Sequence, residues 1–215
     1  MSELDAALAR AGLDIAVRFD TAAVAMPWLA DPARRLGVLV GNSRALWPAF
    51  RAALAADSTL AADRDPLDRY VEHAVDAAAR ELRDARVYYV HRTYDGAFLP
   101  FRQLAVATGL GSAAPTGLVI HPTFGPWFAL RAVIAYAGAL SSTAAPAPAA
   151  PLAPVCRCDG TCERALAIAQ AATGPERWRA WVAVREACTI GRDHRYSDDQ
   201  IAFHYTKNRA LGAGT

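Results

Sequence analysis

The densest chemistry in the chain lies in segment 117–131, Gly-Leu-Val-Ile-His-Pro-Thr-Phe-Gly-Pro-Trp-Phe-Ala-Leu-Arg. An imidazole at the end of one apolar run, a glycine that lets backbone approach a ligand, and a guanidinium inside a second apolar run are costly choices for plain structure. They suit a pocket built around His121. They equally suit a His121 bonded within its own turn and an Arg131 paired with a buried carboxylate. A second set is Cys156, Cys158 and Cys162, with Cys188 farther on. Thiolates at this density can hold zinc or an iron–sulfur cluster, but a C-x-C-x3-C run departs from the spacing of structural zinc sites and of ferredoxins. Thiols without a metal, reactive beside Arg157, are the other reading. Arg177, Arg179, Arg185, Arg192, Arg195 and Arg209 crowd the C-terminal third, with Trp178 and Trp181 among them. Guanidinium forks grip carboxylates and phosphates with two hydrogen bonds, so this set fits an anionic small molecule as well as it fits a solvated helical face. The phosphate-binding loop and the G-x-G-x-x-G, G-x-S-x-G and H-E-x-x-H patterns do not occur, which leaves several enzyme classes without a motif.

The elements that must position these residues read as one globular chain. Its 215 residues are 53% hydrophobic and 20% charged with a net charge of +2, enough apolar surface for a core and too little basic excess for a general nucleic-acid or anionic-membrane binder. The N-terminus lacks a basic region followed by an apolar one, and the apolar stretch 127–140 is interrupted by Arg131 and too short to span a bilayer, so the expected location is the cytoplasm. Ser2 and Gly12 bracket a helix over 2–11, a strand follows at 15–19, and the continuous apolar run 36–41 reads as a strand buried on both faces, leading into a helix with Leu46, Phe50 and Leu54 on one side. Asp65 and Pro66 open a helix whose apolar face is Leu67, Tyr70, Val71 and Val75. Strand 87–90, helix 100–106 and a loop over 111–117 come next. Strands 118–120 and 127–136 around the His-Pro turn are expected to pair as a hairpin. The Ala/Pro-rich stretch 141–154 reads as a linker between a core over 1–140 and a helical segment over 155–215 packing on that core, with helices at 162–172, 175–188 and 197–211. Ser197 and Gln200 have the spacing of a capping box. About four to six strands and about six helices without regular alternation give an α+β class, a sheet with packed helices.

Segment 117–131 resembles the signature of the CblC family of cobalamin-processing proteins, the cyanocobalamin reductases and alkylcobalamin dealkylases. Asp65-Pro66-Leu67-Asp68, Trp178-Arg179-Ala180-Trp181 and Arg195-Tyr196-Ser197-Asp198-Asp199-Gln200 agree with it in order, so the likeness runs from about Pro66 to Leu211. The resemblance implies a sheet related to flavin-dependent nitroreductases, and cobalamin bound with its lower base detached against Thr116, Gly117, His121, Pro122, Phe124, Gly125, Trp127 and Phe128. It implies that Arg131, with Arg185 and Arg209, holds the carboxylates of glutathione or another thiol co-substrate. That thiol takes the alkyl group from cobalt, or, for a cyano ligand, a reduced flavin (FMN or FAD) or a flavin reductase partner supplies electrons. A homodimer and delivery to a cobalamin-dependent enzyme are within the family's range. The loop before Thr116 is shorter than in the animal members and lacks their tyrosines. The cysteine segment and Glu186-Ala187-Cys188-Thr189-Ile190-Gly191-Arg192 resemble ferredoxin-like bacterial relatives that shade into epoxyqueuosine reductase. Two alternatives stay open: an iron–sulfur electron-transfer protein with Cys156, Cys158, Cys162 and Cys188 as ligands, and a non-catalytic cobalamin carrier.

Overall fold

The computed structural model describes residues 2–138 and 158–207. In chain order these form α1 (Glu3–Arg10), β1 (Ile15–Asp20), β2 (Leu36–Asn42), α2 (Leu46–Ala56), α3 (Ser58–Ala62), α4 (Pro66–Ala79), β3 (Arg86–Tyr89), β4 (Thr93–Tyr94), β5 (Ala97–Phe98), α5 (Phe101–Ala107), β6 (Ser112–Ala113), β7 (Val119–Ile120), β8 (Ala129–Tyr136), α6 (Thr161–Ala171), α7 (Trp178–Glu186) and α8 (Asp198–Thr206). This mixture of helix and sheet is the α+β arrangement that the residue pattern implies. The linker at 141–154, Cys156 and Arg209 lie outside the described residues.

Local chemistry explains most boundaries. At α1 the Ser2 hydroxyl accepts the Asp5 amide and the Asp5 carboxylate accepts the Ser2 amide, so two amides that a helix start would leave unpaired are satisfied. Pro66 opens α4, where a missing N–H costs nothing, and Leu67, Val71, Val75 and Ala79 recur at four-residue intervals along its buried face. Asp65 makes no side-chain cap there.

The main sheet is antiparallel, with strand order β1-β2-β8-β3. Central β2 is apolar from Leu36 to Gly41, and both its faces are covered. Val38 and Val40 enter one core with α1, α2, α4 and Phe203 of α8, while Leu39 enters another with Phe101 and Leu104 of α5. Phe203 packs against Trp47 and Phe50 at ring centroid distances of 5.3 and 5.5 Å, so the C-terminal helices share the core of the N-terminal part.

Two expectations are corrected here. Strands β7 and β8 do not pair with each other: β7 pairs with β6, and β8 enters the main sheet between β2 and β3. The turn between them closes on itself, His121 and Gly125 exchanging both backbone hydrogen bonds at 2.9 Å, and Pro126, which has no amide to donate, lets the chain leave for the other sheet. Ser197 makes no side-chain cap on α8, and Gln200, its expected partner, turns inward and is 1% exposed.

Candidate functional site

A break in strand register builds the site. Along β2, Val40 pairs with Ala132 and Gly41 pairs with Leu130, which leaves Arg131 as an extra residue bulged out of the ladder. Such a bulge re-aims a side chain. Gly41 is needed beside it, because a Cβ there would lie 2.7 Å from the Ala129 carbonyl oxygen. The Arg131 side chain is buried, its Nε donates to Asn42 Oδ1 at 2.6 Å, and one terminal nitrogen, Nη2, finds no partner among the described residues. Burial pushes its pKa down, with Tyr196 and Asp68 opposing. Among the described residues no carboxylate bonds to it, and the acceptor found is a neutral amide rather than the carboxylate of a buried ion pair.

Close enough to Arg131 to feel its charge are the Tyr196 hydroxyl and His204 Nε2, buried polar atoms with unfilled bonding capacity among the described residues, and Gln200 Nε2 on α8 is another such atom. Burial pushes the Tyr196 phenol up to about 12 against the pull of Arg131 and Arg185. Burial holds the His204 imidazole neutral, down to about 3, and Arg131, Lys207 and Arg185 act in the same direction. The two arginines therefore act on one pair of side chains, and Arg185 also donates to the Pro126 carbonyl at the end of the His-Pro turn. Buried polar groups are normally paired, and several orphans within one patch mark a place that a polar ligand or water would complete. Sequence reasoning missed Asn42, Tyr196 and His204 as members of this set. The available signal was the pair Gln200 and His204, four residues apart on the inward face of α8.

The His-Pro turn is held from two sides. His121 Nδ1 accepts the amides of Thr123 and Phe124 at 3.0 and 3.2 Å, which fixes the proton of the neutral ring on Nε2. Burial and the nearby His194 both push its pKa down. Phe124 lies between the two imidazoles, 4.6 Å from His121 and 4.9 Å from His194 between ring centroids. Gly125 lets two backbone segments pack closely. At φ +58° it packs against Ile190 and Gly191, and a Cβ on it would fall 1.9 Å from the Ile190 oxygen. Trp127 is core, packed with Val182, Tyr196 and Ile201, and Phe128 is core on the α5 side, with His121 set edge-on at 5.8 Å. Pro122 is exposed. Thr116 and Gly117 sit at the tip of the β6–β7 hairpin, beside Arg102, next to a groove of about 690 Å³ lined by Val90, Phe98, Leu99, Phe101, Arg102 and Val119. That groove contains neither His121 nor Arg131.

The expected site residues therefore fall into a set of buried Arg131 and half-buried Arg185, a clamped His121–Gly125 turn and a hairpin tip, while Trp127 and Phe128 belong to the core. Of the cysteines, the Cys158 and Cys162 sulfurs lie 2.8 Å apart and Cys188 is buried at the end of α7. Among the described residues no group of three or more His, Cys, Asp or Glu is arranged to hold a metal ion, and no helix is long and apolar enough to cross a membrane.

No known protein family and no curated protein matches this sequence. Solved structures match its fold. The B12-trafficking protein CblC of C. elegans, a homologue of human MMACHC, superposes with a TM-score of 0.68 at 13% identity over 98% of this chain and 93% of that one. An epoxyqueuosine reductase solved with a tRNA-Tyr stem loop gives 0.50 at 15% identity over 91% of this chain and 66% of the reductase.

Proposed function

We propose that the protein takes a corrinoid as its substrate, holds it with the lower base detached near the clamped His121–Gly125 turn, and removes its upper axial ligand to a thiol. The observation that carries this reading is Arg131. A strand bulge sets a buried guanidinium with an open hydrogen-bonding nitrogen near the Tyr196 hydroxyl and His204 Nε2, which also lack partners among the described residues. A carboxylate fits that set, since it accepts from all three as donors. The fold likeness to a B12-trafficking protein supports the corrinoid part of the reading.

Arg131 and Arg185 would hold the carboxylates of a thiol such as glutathione, with Arg209 as the third member. Because Arg131 is only 8% exposed, the carboxylate reaches it only when neighbouring side chains shift. The guanidinium groups favour the thiolate, which attacks the alkyl carbon; a carbon–sulfur bond forms, the cobalt–carbon bond breaks, and its electron pair stays on the metal of the product. Holding thiol and carbon in line supplies the proximity advantage. His121, with Nδ1 occupied by two backbone amides, offers Nε2–H as a fixed donor to the substrate. For a cyano ligand the electrons would come from reduced FMN or FAD on a partner reductase. The reading carries a cytoplasmic location and allows a homodimer.

The test is a dark, anaerobic titration of methylcobalamin with the protein, followed by addition of glutathione. A blue shift of the long-wavelength band reports a detached lower base, and thioether formation reports dealkylation. Arg131→Met is expected to keep the shift and lose turnover. No shift at saturating protein, or full turnover by the variant, would overturn the reading.

A further inference from the structure

The cysteines stand apart from the corrinoid reading and do not depend on it. Cys158 and Cys162 flank the tight turn that starts α6, with their sulfurs 2.8 Å apart. A disulfide bond is about 2.05 Å long, so closing it asks for only a small approach. Gly160, between them at φ +82°, supplies the left-handed backbone that folds the two side chains toward each other. Arg164 locks the turn in that shape: it donates to the Asp159 carbonyl at 3.1 Å and to the Thr161 hydroxyl at 2.9 Å, and Thr161 in turn bonds the Asp159 carboxylate. The two thiols also differ in access. Cys158 is half-buried, whereas Cys162 is 4% exposed.

We propose that Cys158 and Cys162 form a redox-active dithiol that exchanges with the disulfides of low-molecular-weight thiols. The accessible Cys158 sulfur attacks one sulfur of the small disulfide as a thiolate. The small disulfide's S–S bond breaks, one small thiolate leaves, and a mixed disulfide remains on Cys158. Cys162 then attacks the Cys158 sulfur and displaces the second small thiolate. The protein loses two electrons and two protons, and the small disulfide gains them as two thiols. The enclosed loop is short, so cross-linking stabilises the folded state less than a long-range bridge would, which suits a bond that must also be reduced again.

The experiment uses the full chain, reduced, freed of reductant anaerobically, and then exposed to oxidised glutathione. Intact mass and peptide mapping are expected to show the loss of two hydrogens and a Cys158–Cys162 bridge that glutathione reverses. Cys162→Ser should accumulate glutathione on Cys158, and Cys188→Ser should leave the pair's oxidation unchanged. Any of three results overturns the proposal: thiols that stay reduced in folded protein, a bridge that maps to Cys156 or Cys188, or stoichiometric iron or zinc bound through Cys158 and Cys162 that blocks the exchange.

Discussion

Gly191→Ala tests whether the loop carrying Gly191 is what holds the His-Pro turn. The residue has φ +70°, and a Cβ there would lie 2.2 Å from the Phe124 carbonyl carbon, 2.3 Å from its oxygen and 2.5 Å from the Gly125 nitrogen. All three are backbone atoms, so no side chain can rotate away. Gly96 is the control: φ is +79° and no atom comes within 4 Å of its added Cβ. Left-handed backbone costs an alanine about 1–2 kcal/mol, and that is the whole expected effect of Gly96→Ala. Gly191→Ala carries the same strain plus overpacking of about 1–3 kcal/mol, roughly 2–5 kcal/mol together. Relief requires the two loops to separate, which moves Phe124 and, with it, the two amides on His121 Nδ1. Urea unfolding of both variants gives the difference, and the methylcobalamin titration of the same samples reads the turn. Equal destabilisation by the two substitutions, or unchanged corrinoid binding by Gly191→Ala, would refute the reasoning.

Three further outcomes follow from the same structure. His204 is neutral in the folded state, down to about 3, whereas an unfolded imidazole titrates near 6.5, so the unfolded chain binds the extra proton and stability falls as pH drops from about 6.5 toward 3. His204→Phe should remove up to about 1.4 kcal/mol per pH unit of that slope, read as the difference between the two unfolding profiles. Asn42→Leu leaves the buried Arg131 cation without its acceptor and should cost about 3 kcal/mol, more than Arg131→Met, which removes the charge; in denaturant melts the double variant should be less destabilised than the sum. Glu72 accepts from His91 at 2.8 Å and Arg92 at 2.7 Å, which, against the opposing effect of burial, hold it below the usual carboxylate range. Glu72→Gln should therefore cost about 1–2 kcal/mol at neutral pH, since Arg92 is half-exposed, and little at a pH where the carboxyl is already protonated.

Elements whose signals are local were legible in the sequence. The Ser2 cap, Pro66 at a helix start, and the two-sided apolar run of β2 each depend on neighbours a few residues away, and each forms where its pattern implies. Pairing partners were not legible. Val119 and Ile120 are too short a strand to specify a partner, and only the self-closing turn and Pro126 decide against a hairpin with β8. Arg131 was visible as an anomaly, yet its acceptor, Asn42, lies 89 residues away and is neutral, so no charge pattern could reveal it. Gly125 shows a related limit: the backbone that crowds it belongs to Ile190, which nothing in the turn's own sequence announces.

The bulge in β8 has the character of an insertion. Leu130 and Ala132 pair with Gly41 and Val40, two neighbours on β2, so excising Arg131 would join the halves of β8 into an unbroken run on that side, at the loss of the bond that the Arg131 carbonyl accepts from Val90. Residues on either side already face the layers such a run would give them, Leu130 toward α5 and Ala132 toward the α2–α4 layer. The cation is thus an addition to a sheet that does not need it. A single codon gained or lost is enough to give this scaffold its buried charge or to take it away.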